Sequence, residues 1–107
     1  MKRLVLSRSA ARHLDAIDDY TIEQFGIEQA ERLRKGFAEA LQNLQRMPES
    51  GRERPDLSPP ERSLRSRLVG KAFLIVYEAA GDAVRVARVL HAARDLPSEL
   101  LRDDGGE

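Results

Sequence analysis

Apolar residues recur three and four positions apart along the first half of the chain, which is the spacing of an amphipathic helix. One series consists of Ala10, Leu14, Ile17, Thr21 and Phe25. A second consists of Ala30, Leu33, Phe37, Ala40, Leu41 and Leu44. Gly26 suits the end of the first helix and Pro48 that of the second, so the short connection predicts a helical hairpin. We interpret Gly36, inside the second helix, as a close-packing position.

The second half of the chain has the pattern of β-strands. Residues 63–69, 72–79 and 83–90 have strand-type patterns, the first half-exposed and the other two apolar on both faces, and turn signals at Gly70-Lys71 and Gly81-Asp82 separate them. A short strand over residues 2–7 precedes Ser9, a good helix N-cap. Residues 48–60 contain four of the five prolines, which predicts a loop without a regular element. A short helical turn over residues 97–101 follows the last strand.

These elements predict an α+β fold: an N-terminal strand, an antiparallel two-helix hairpin, a three-stranded antiparallel meander and a C-terminal helical turn. The length of 107 residues fits one domain over residues 1–107, with a core over about 4–101 and an acidic tail over 102–107. The chain lacks cysteine, a signal-peptide core and an apolar run long enough to span a bilayer. We therefore expect a cytoplasmic protein without membrane contact.

Charge is balanced overall, with 18 basic and 18 acidic residues. No bulk attraction to nucleic acid follows, and we expect no sequence-specific nucleic-acid binding. Between Arg52 and Arg94, however, nine basic residues stand against five acidic ones. Arg65, Arg67 and Arg88 are expected to cluster on adjacent strands, where they would serve either binding or protection of a strand edge.

Sequence motifs of the common enzyme classes are absent: the chain has no HExxH, no GxSxG and no phosphate-binding P-loop. We expect neither a metal site nor a cofactor. The carboxylates of the first helix lie on its predicted solvent face, and His13 lies at the boundary of that face. His91 is more informative, because it ends a buried strand close to Arg94 and Asp95. In a purely structural interpretation Asp95 caps the terminal turn and pairs with Arg94.

Several short sequence strings follow one another in a definite order along the chain. They are Ser9-Ala10 with Leu14, Ile17 and Tyr20, Phe25-Gly26 with Gln29-Ala30, Pro48 with Gly51-Arg52, Leu64-Arg65, Ile75-Val76-Tyr77, and the stretch from Arg88 to Asp95. In this order and spacing the sequence resembles the ParE branch of the ParE/RelE toxin superfamily, from about Leu4 to Leu96. The resemblance implies the same fold that the periodicity predicts.

The resemblance also implies a function: the toxin of a type II toxin–antitoxin pair, which inhibits DNA gyrase and is silenced by a ParD-like antitoxin. The target-binding residues that it implies are Arg65, Arg67, Arg88, His91, Arg94 and Asp95. An antitoxin helix or strand would dock in an apolar groove between hairpin and sheet. The residues expected to belong to that groove or to the core are Leu14, Ile17, Leu33, Phe37 and Phe73.

Two alternatives stay open. RelE-type relatives cut messenger RNA on the ribosome, and Arg65, Arg67, Lys71, Tyr77, Arg88 and His91 could supply such a site. Arginine stabilises charge but does not exchange protons near neutral pH, which favours the gyrase interpretation. The other alternative is a non-toxic binding module.

Overall fold

A computed structural model describes residues 1–92. Its strands are β1 (Arg3–Leu6), β2 (Arg52–Glu53), β3 (Arg65–Val69), β4 (Phe73–Ala80) and β5 (Ala83–His91), and its helices are α1 (Arg8–Phe25) and α2 (Ile27–Arg46). A 3₁₀ turn spans Pro55–Leu57. The predicted strand, hairpin and meander are confirmed. The predicted turn over residues 97–101 lies outside the described residues.

The first helix begins earlier than its sequence pattern predicts. Ser7, and not Ser9, is the N-cap, because the Ser7 hydroxyl accepts a hydrogen bond from the Ala10 amide at 2.9 Å. The same hydroxyl donates to the Ala87 carbonyl at 2.7 Å, so it joins the helix to β5. Ser9 instead lies buried within the first turn.

Gly26 alone connects the two helices, and its φ of 93° lies in the region that favours glycine. Its amide still donates to the Ile22 carbonyl at 2.9 Å, which closes α1. The chain can therefore reverse within one residue and lay α2 along α1. This confirms the predicted hairpin.

Neither α1 nor α2 has the length and the apolar character that a membrane-spanning helix needs.

The five strands form one sheet in the order β1-β5-β4-β3-β2. β1 runs parallel to β5, and every other neighbouring pair is antiparallel. The prediction that residues 48–60 contain no regular element is wrong, since Arg52 and Glu53 pair with Ser66 and Arg65 of β3. Proline still limits the strand to two residues, because Pro55 cannot donate a ladder hydrogen bond.

The sheet has a helix-covered face and a helix-free face, and both contain buried side chains. The helix-covered face carries Ile75, Tyr77, Val84, Val86 and Val89, which pack on Ala10, Phe37, Ala40 and Leu44 of the hairpin. The helix-free face carries the smaller cluster Leu64, Leu74, Val76 and Leu90, against which Leu57 packs. Apolar residues on both faces are what the continuous apolar runs of β4 and β5 require.

A β-bulge interrupts the pairing of β4 with β5. Tyr77 lies opposite Val86 but Val76 lies opposite Arg88, so Ala87 is the extra residue. A bulge shifts every following side chain to the other face of the strand. Two side chains, from the N-cap of α1 and from α1 itself, hold the bulge in place. The Ser7 hydroxyl donates to the Ala87 carbonyl, and His13 Nδ1 accepts from the Val89 amide at 3.3 Å.

Candidate functional site

A groove of about 650 Å³ opens between the hairpin and the turn that joins β3 to β4. Ile17, Leu33 and Phe73 contribute to its apolar lining, and Tyr20 and Phe25 flank it near the connection of the two helices. We call this space the hairpin–sheet groove. Its lining matches what an amphipathic helix or strand requires, since apolar side chains dominate and few charges intervene.

A smaller hollow of about 350 Å³ lies between α1 and α2. Leu14, Ile17, Leu33 and Phe37 line it, and Asp18 and Arg34 flank it with an ion pair whose Nε–Oδ1 distance is 2.6 Å. That pair lowers the pKa of the Asp18 carboxyl, chiefly through its hydrogen bond with Arg34. Ile17 and Leu33 line both spaces, so the two openings share a wall.

The five residues predicted for antitoxin binding all line one or both of these openings. Phe37 belongs to the core, at 6% exposure. Leu14, Ile17, Leu33 and Phe73 are half-buried and pack against that core. Phe73 also contacts Phe37, with ring centroids 5.8 Å apart. These side chains therefore support the fold and still present surface to a ligand.

Two aromatic residues of the groove escaped the site prediction. Tyr20 is 55% exposed and Phe25 67% exposed, and their rings meet edge to face with centroids 6.4 Å apart. Both residues lie within two helical turns of Gly26, at the end of α1. Large exposed aromatic side chains close together indicate a binding surface.

His91 also lies at the groove. Its ring packs edge to face on Phe73, with centroids 5.5 Å apart, and the side chain is half-buried. The sequence placed Phe73 in an antitoxin site and His91 in a target site. The structure brings the two together at one wall of the same groove.

Arg65 is held in a structural contact. One terminal nitrogen donates to the carbonyls of Gly51 at 2.9 Å and Glu49 at 3.1 Å, and the other pairs with Glu53. Arg67 is two residues further along β3 and therefore shares its sheet face with Arg65. It is half-buried and has no hydrogen-bond or ion-pair partner among residues 1–92.

Arg88 does not join the other two, so the predicted cluster of three arginines is wrong. It is 4% exposed and lies opposite Val76, on the helix-free face. β4 also separates β5 from β3. The bulge at Ala87 is the physical cause: with unbroken pairing Arg88 would face Ile75 and share the face of Arg67.

Tyr77 is fully buried on the helix-covered face. Its hydroxyl accepts from the Gly51 amide at 2.9 Å and donates to the Pro48 carbonyl at 2.8 Å. Burial raises the pKa of the phenol. Tyr77 thus fastens the segment after α2 to the sheet. A phenol in this position has no access to a substrate in solution.

Among the described residues, no group of three or more histidine or acidic side chains is arranged to hold a metal ion. Arg94 and Asp95, for which the resemblance implies target binding, lie outside residues 1–92.

Comparison with known proteins gives one consistent set of similarities. Residues 4–96 match the family described as ParE toxin of type II toxin–antitoxin system, parDE. Toxin ParE1 of Mycobacterium tuberculosis is 29% identical over 92% of this chain and 97% of its own length. Toxin ParE1 of Caulobacter vibrioides is 31% identical over 94% and 99%. A chain of the chromosomal ParDE system from P. aeruginosa superposes with a TM-score of 0.70 at 26% identity, over 85% of this chain and 96% of the other.

Proposed function

The chain belongs to the ParE toxin family of type II toxin–antitoxin systems, and from that membership we propose that it inhibits DNA gyrase in the cytoplasm. We also propose that a ParD-like antitoxin neutralises it by binding in the hairpin–sheet groove. The family match over residues 4–96 is the observation that carries the proposal. The solved relative is described as a ParDE system, which supports an antitoxin partner of the same kind.

The groove supports the site of neutralisation. Tyr20 and Phe25 are exposed at the groove, and covering them would remove apolar surface from water, which stabilises a complex by about 25 cal/mol per Å². The half-buried Ile17 and Leu33 form a floor that is already packed on the core, so little ordering is needed when a ligand binds. An amphipathic helix that places apolar residues on this floor is the occupant that fits.

His91 suggests how such binding would silence the toxin. If His91 contacts the target, as the family resemblance implies, an antitoxin segment in the groove would cover it through its contact with Phe73. Neutralisation would then act by occlusion, and would need no change of fold. Arg67 lies on the same sheet face as His91, and its guanidinium can donate hydrogen bonds to a partner.

Cleavage of RNA is the weaker proposal. It requires an acid, a base and cations around one phosphate. The residues considered for that set are dispersed: Tyr77 is buried and doubly hydrogen-bonded, and Arg88 lies on the opposite face from Arg67. This dispersal supports a protein target.

The test is a supercoiling assay with purified chain and gyrase, beside a ribosome assay with bound message. We expect supercoiling to be blocked, the message to stay intact, and the cognate antitoxin to restore supercoiling. Cleaved message with unaffected gyrase would replace the proposal by the RelE-type function. Expression without growth arrest would favour a non-toxic binding module.

The individual target residues are tested separately. Replacement of His91 or Arg67 by alanine should reduce gyrase inhibition while the chain still folds. Arg94 and Asp95 are proposed on the resemblance alone, and an Arg94→Ala chain that folds, binds antitoxin and kills equally well would remove Arg94 from the mechanism.

A further inference from the structure

A further opening, of about 560 Å³, lies near β1 at the opposite side of the sheet from the hairpin–sheet groove. Val5 and Ala80 contribute apolar surface to it, and three arginines surround it: Arg8, Arg62 and Arg85. Glu78 is the one acidic residue in the lining. We call this space the arginine cleft. Arg85 and Glu78 are cross-strand neighbours on the helix-free face, and Val5 pairs with Arg85 from β1.

Of the three arginines at the cleft, only Arg62 has an ion-pair partner among the described residues. Glu78 pairs with Arg62, whose Nη2 lies 2.6 Å from its carboxylate. Arg8 and Arg85 are exposed and have no hydrogen-bond or ion-pair partner among residues 1–92. Elsewhere in the chain Arg3, Arg34 and Arg54 each pair with an aspartate. Within residues 1–92, the cleft therefore concentrates two guanidinium groups whose hydrogen-bond donors remain available.

We propose that the arginine cleft binds an acidic segment of a partner protein, with its carboxylates on Arg8 and Arg85. The planar fork of a guanidinium matches a carboxylate in two parallel hydrogen bonds. A protein segment fits better than nucleic acid, because Val5 and Ala80 offer apolar contact for aliphatic side chains beside the guanidinium groups. The zero net charge of the chain also provides no bulk attraction for nucleic acid. This inference goes beyond gyrase inhibition and holds whichever target the toxin has.

The test measures binding of a fluorescein-labelled peptide of alternating glutamate and alanine to the whole chain by fluorescence anisotropy. The matched peptide with glutamine in place of glutamate should not bind. The double variant Arg8→Gln and Arg85→Gln should bind the acidic peptide about ten-fold more weakly, as expected for two lost surface charge contacts. Arg52→Gln is the control, since Arg52 is also an exposed arginine and lies on β2, at the other edge of the sheet. It should bind as the unchanged chain does.

A gain of binding separates the proposal from damage to the fold. Glu78→Gln removes the repelling carboxylate, keeps the size of the side chain and releases Arg62, so it should tighten peptide binding about three-fold. Three results would each overturn the proposal: no binding of the acidic peptide, equal weakening by Arg52→Gln, or weaker binding after Glu78→Gln. Tighter binding of a single-stranded oligonucleotide of equal charge, lost in the double variant, would assign the cleft to nucleic acid instead.

Discussion

The two ends of the helical hairpin differ in what holds them. At its base, where α1 begins and α2 ends, the Lys2 amide donates to the Gln45 carbonyl at 2.9 Å and the Gln45 side chain returns a bond to the Lys2 carbonyl at 2.8 Å. Tyr77 fastens the residues that follow α2. At its tip, around Gly26, Tyr20 and Phe25 are more than half exposed. The base serves stability, whereas the tip exposes aromatic surface, which is where we propose that the antitoxin binds.

This comparison separates two kinds of aromatic residue that composition alone treats alike. Tyr77 stabilises the fold through two hydrogen bonds from a fully buried position. Tyr20 contacts Phe25 and the solvent. Variants at the base should therefore change the free energy of unfolding, and variants at the tip should change affinity for the antitoxin.

The largest effect is expected for Gly51→Ala at the base. An added Cβ would lie 2.8 Å from the Ser66 carbonyl oxygen and would overlap the Tyr77 hydroxyl. Overpacking together with a lost buried hydrogen bond should lower the free energy of unfolding by about 3 kcal/mol or more. Urea denaturation measures the change.

Gly36→Ala is the matched control for that variant. Its added Cβ would meet Val69 Cγ1 at 3.6 Å, which is ordinary contact, so our interpretation of Gly36 as a close-packing position is wrong. Within a helix this change should stabilise by roughly 0.5–1 kcal/mol. Losses of similar size at Gly36 and Gly51 would contradict the account of the base.

The next largest effect is expected at the tip. Replacing Tyr20 and Phe25 together by serine should weaken antitoxin binding by about 100-fold, the size found for central aromatic contacts, because both rings line the groove. The free energy of unfolding should stay within about 0.5 kcal/mol, since both rings are exposed. Calorimetric titration and urea denaturation measure the two quantities.

Met47→Ser provides the control at the base, since Met47 is 61% exposed and follows α2. The affinity of the Met47→Ser chain for the antitoxin should equal that of the unchanged chain. Equal weakening by the base and tip variants would mean that exposure, and not position at the groove, determines binding.

Tyr77→Phe should destabilise the chain by about 2 kcal/mol, because the Gly51 amide and the Pro48 carbonyl lose a buried partner. Burial raises the pKa of the Tyr77 phenol in the folded chain. The phenol therefore contributes its full share to the free energy of unfolding below the pKa of about 10 that it has in the unfolded chain. This contribution is lost as the pH rises through the pKa in the folded chain. The difference in stability between the two chains should shrink in alkaline solution, and urea denaturation across that range would detect a failure to do so.

The smallest loss of stability is expected at Ser7. Ser7→Ala should cost about 1 kcal/mol through the lost N-cap. Ser7→Asp keeps the acceptor for the Ala10 amide but cannot donate to the Ala87 carbonyl. Full rescue by aspartate would assign the role of Ser7 to capping alone, whereas partial rescue would show that it also holds the bulge. Thermal unfolding of the three chains distinguishes these outcomes.

Much of the fold could be predicted because its signals are periodic. The stripes of α1 and α2 repeat over several turns, and glycines with a φ of 61° mark both turns of the meander. β2 could not be predicted, since a strand of two residues has no period. The N-cap was misplaced by two residues because Ser7 and Ser9 are chemically equal candidates.

The site was harder to predict, and Arg88 shows why. In β5 apolar residues fill most positions of both faces, and the odd spacing of Arg85 and Arg88 fits either an unbroken strand with arginines on opposite faces or a bulged strand with both on one face. The sequence pattern does not distinguish these two cases, yet the bulge at Ala87 decides the face on which Arg88 lies. The exposure of Phe25 was equally hard to predict, because the apolar stripe of α1 does not indicate at which residue its packing against the core ends.

Amide hydrogen exchange of the whole chain, free and saturated with the cognate antitoxin, tests the central claim most directly. The account predicts that the antitoxin slows exchange around the tip, over residues 16–33, and at the turn between β3 and β4, and leaves β2 and the end of α2 unchanged. Protection centred on β2 and the end of α2, with the tip still exchanging freely, would contradict it.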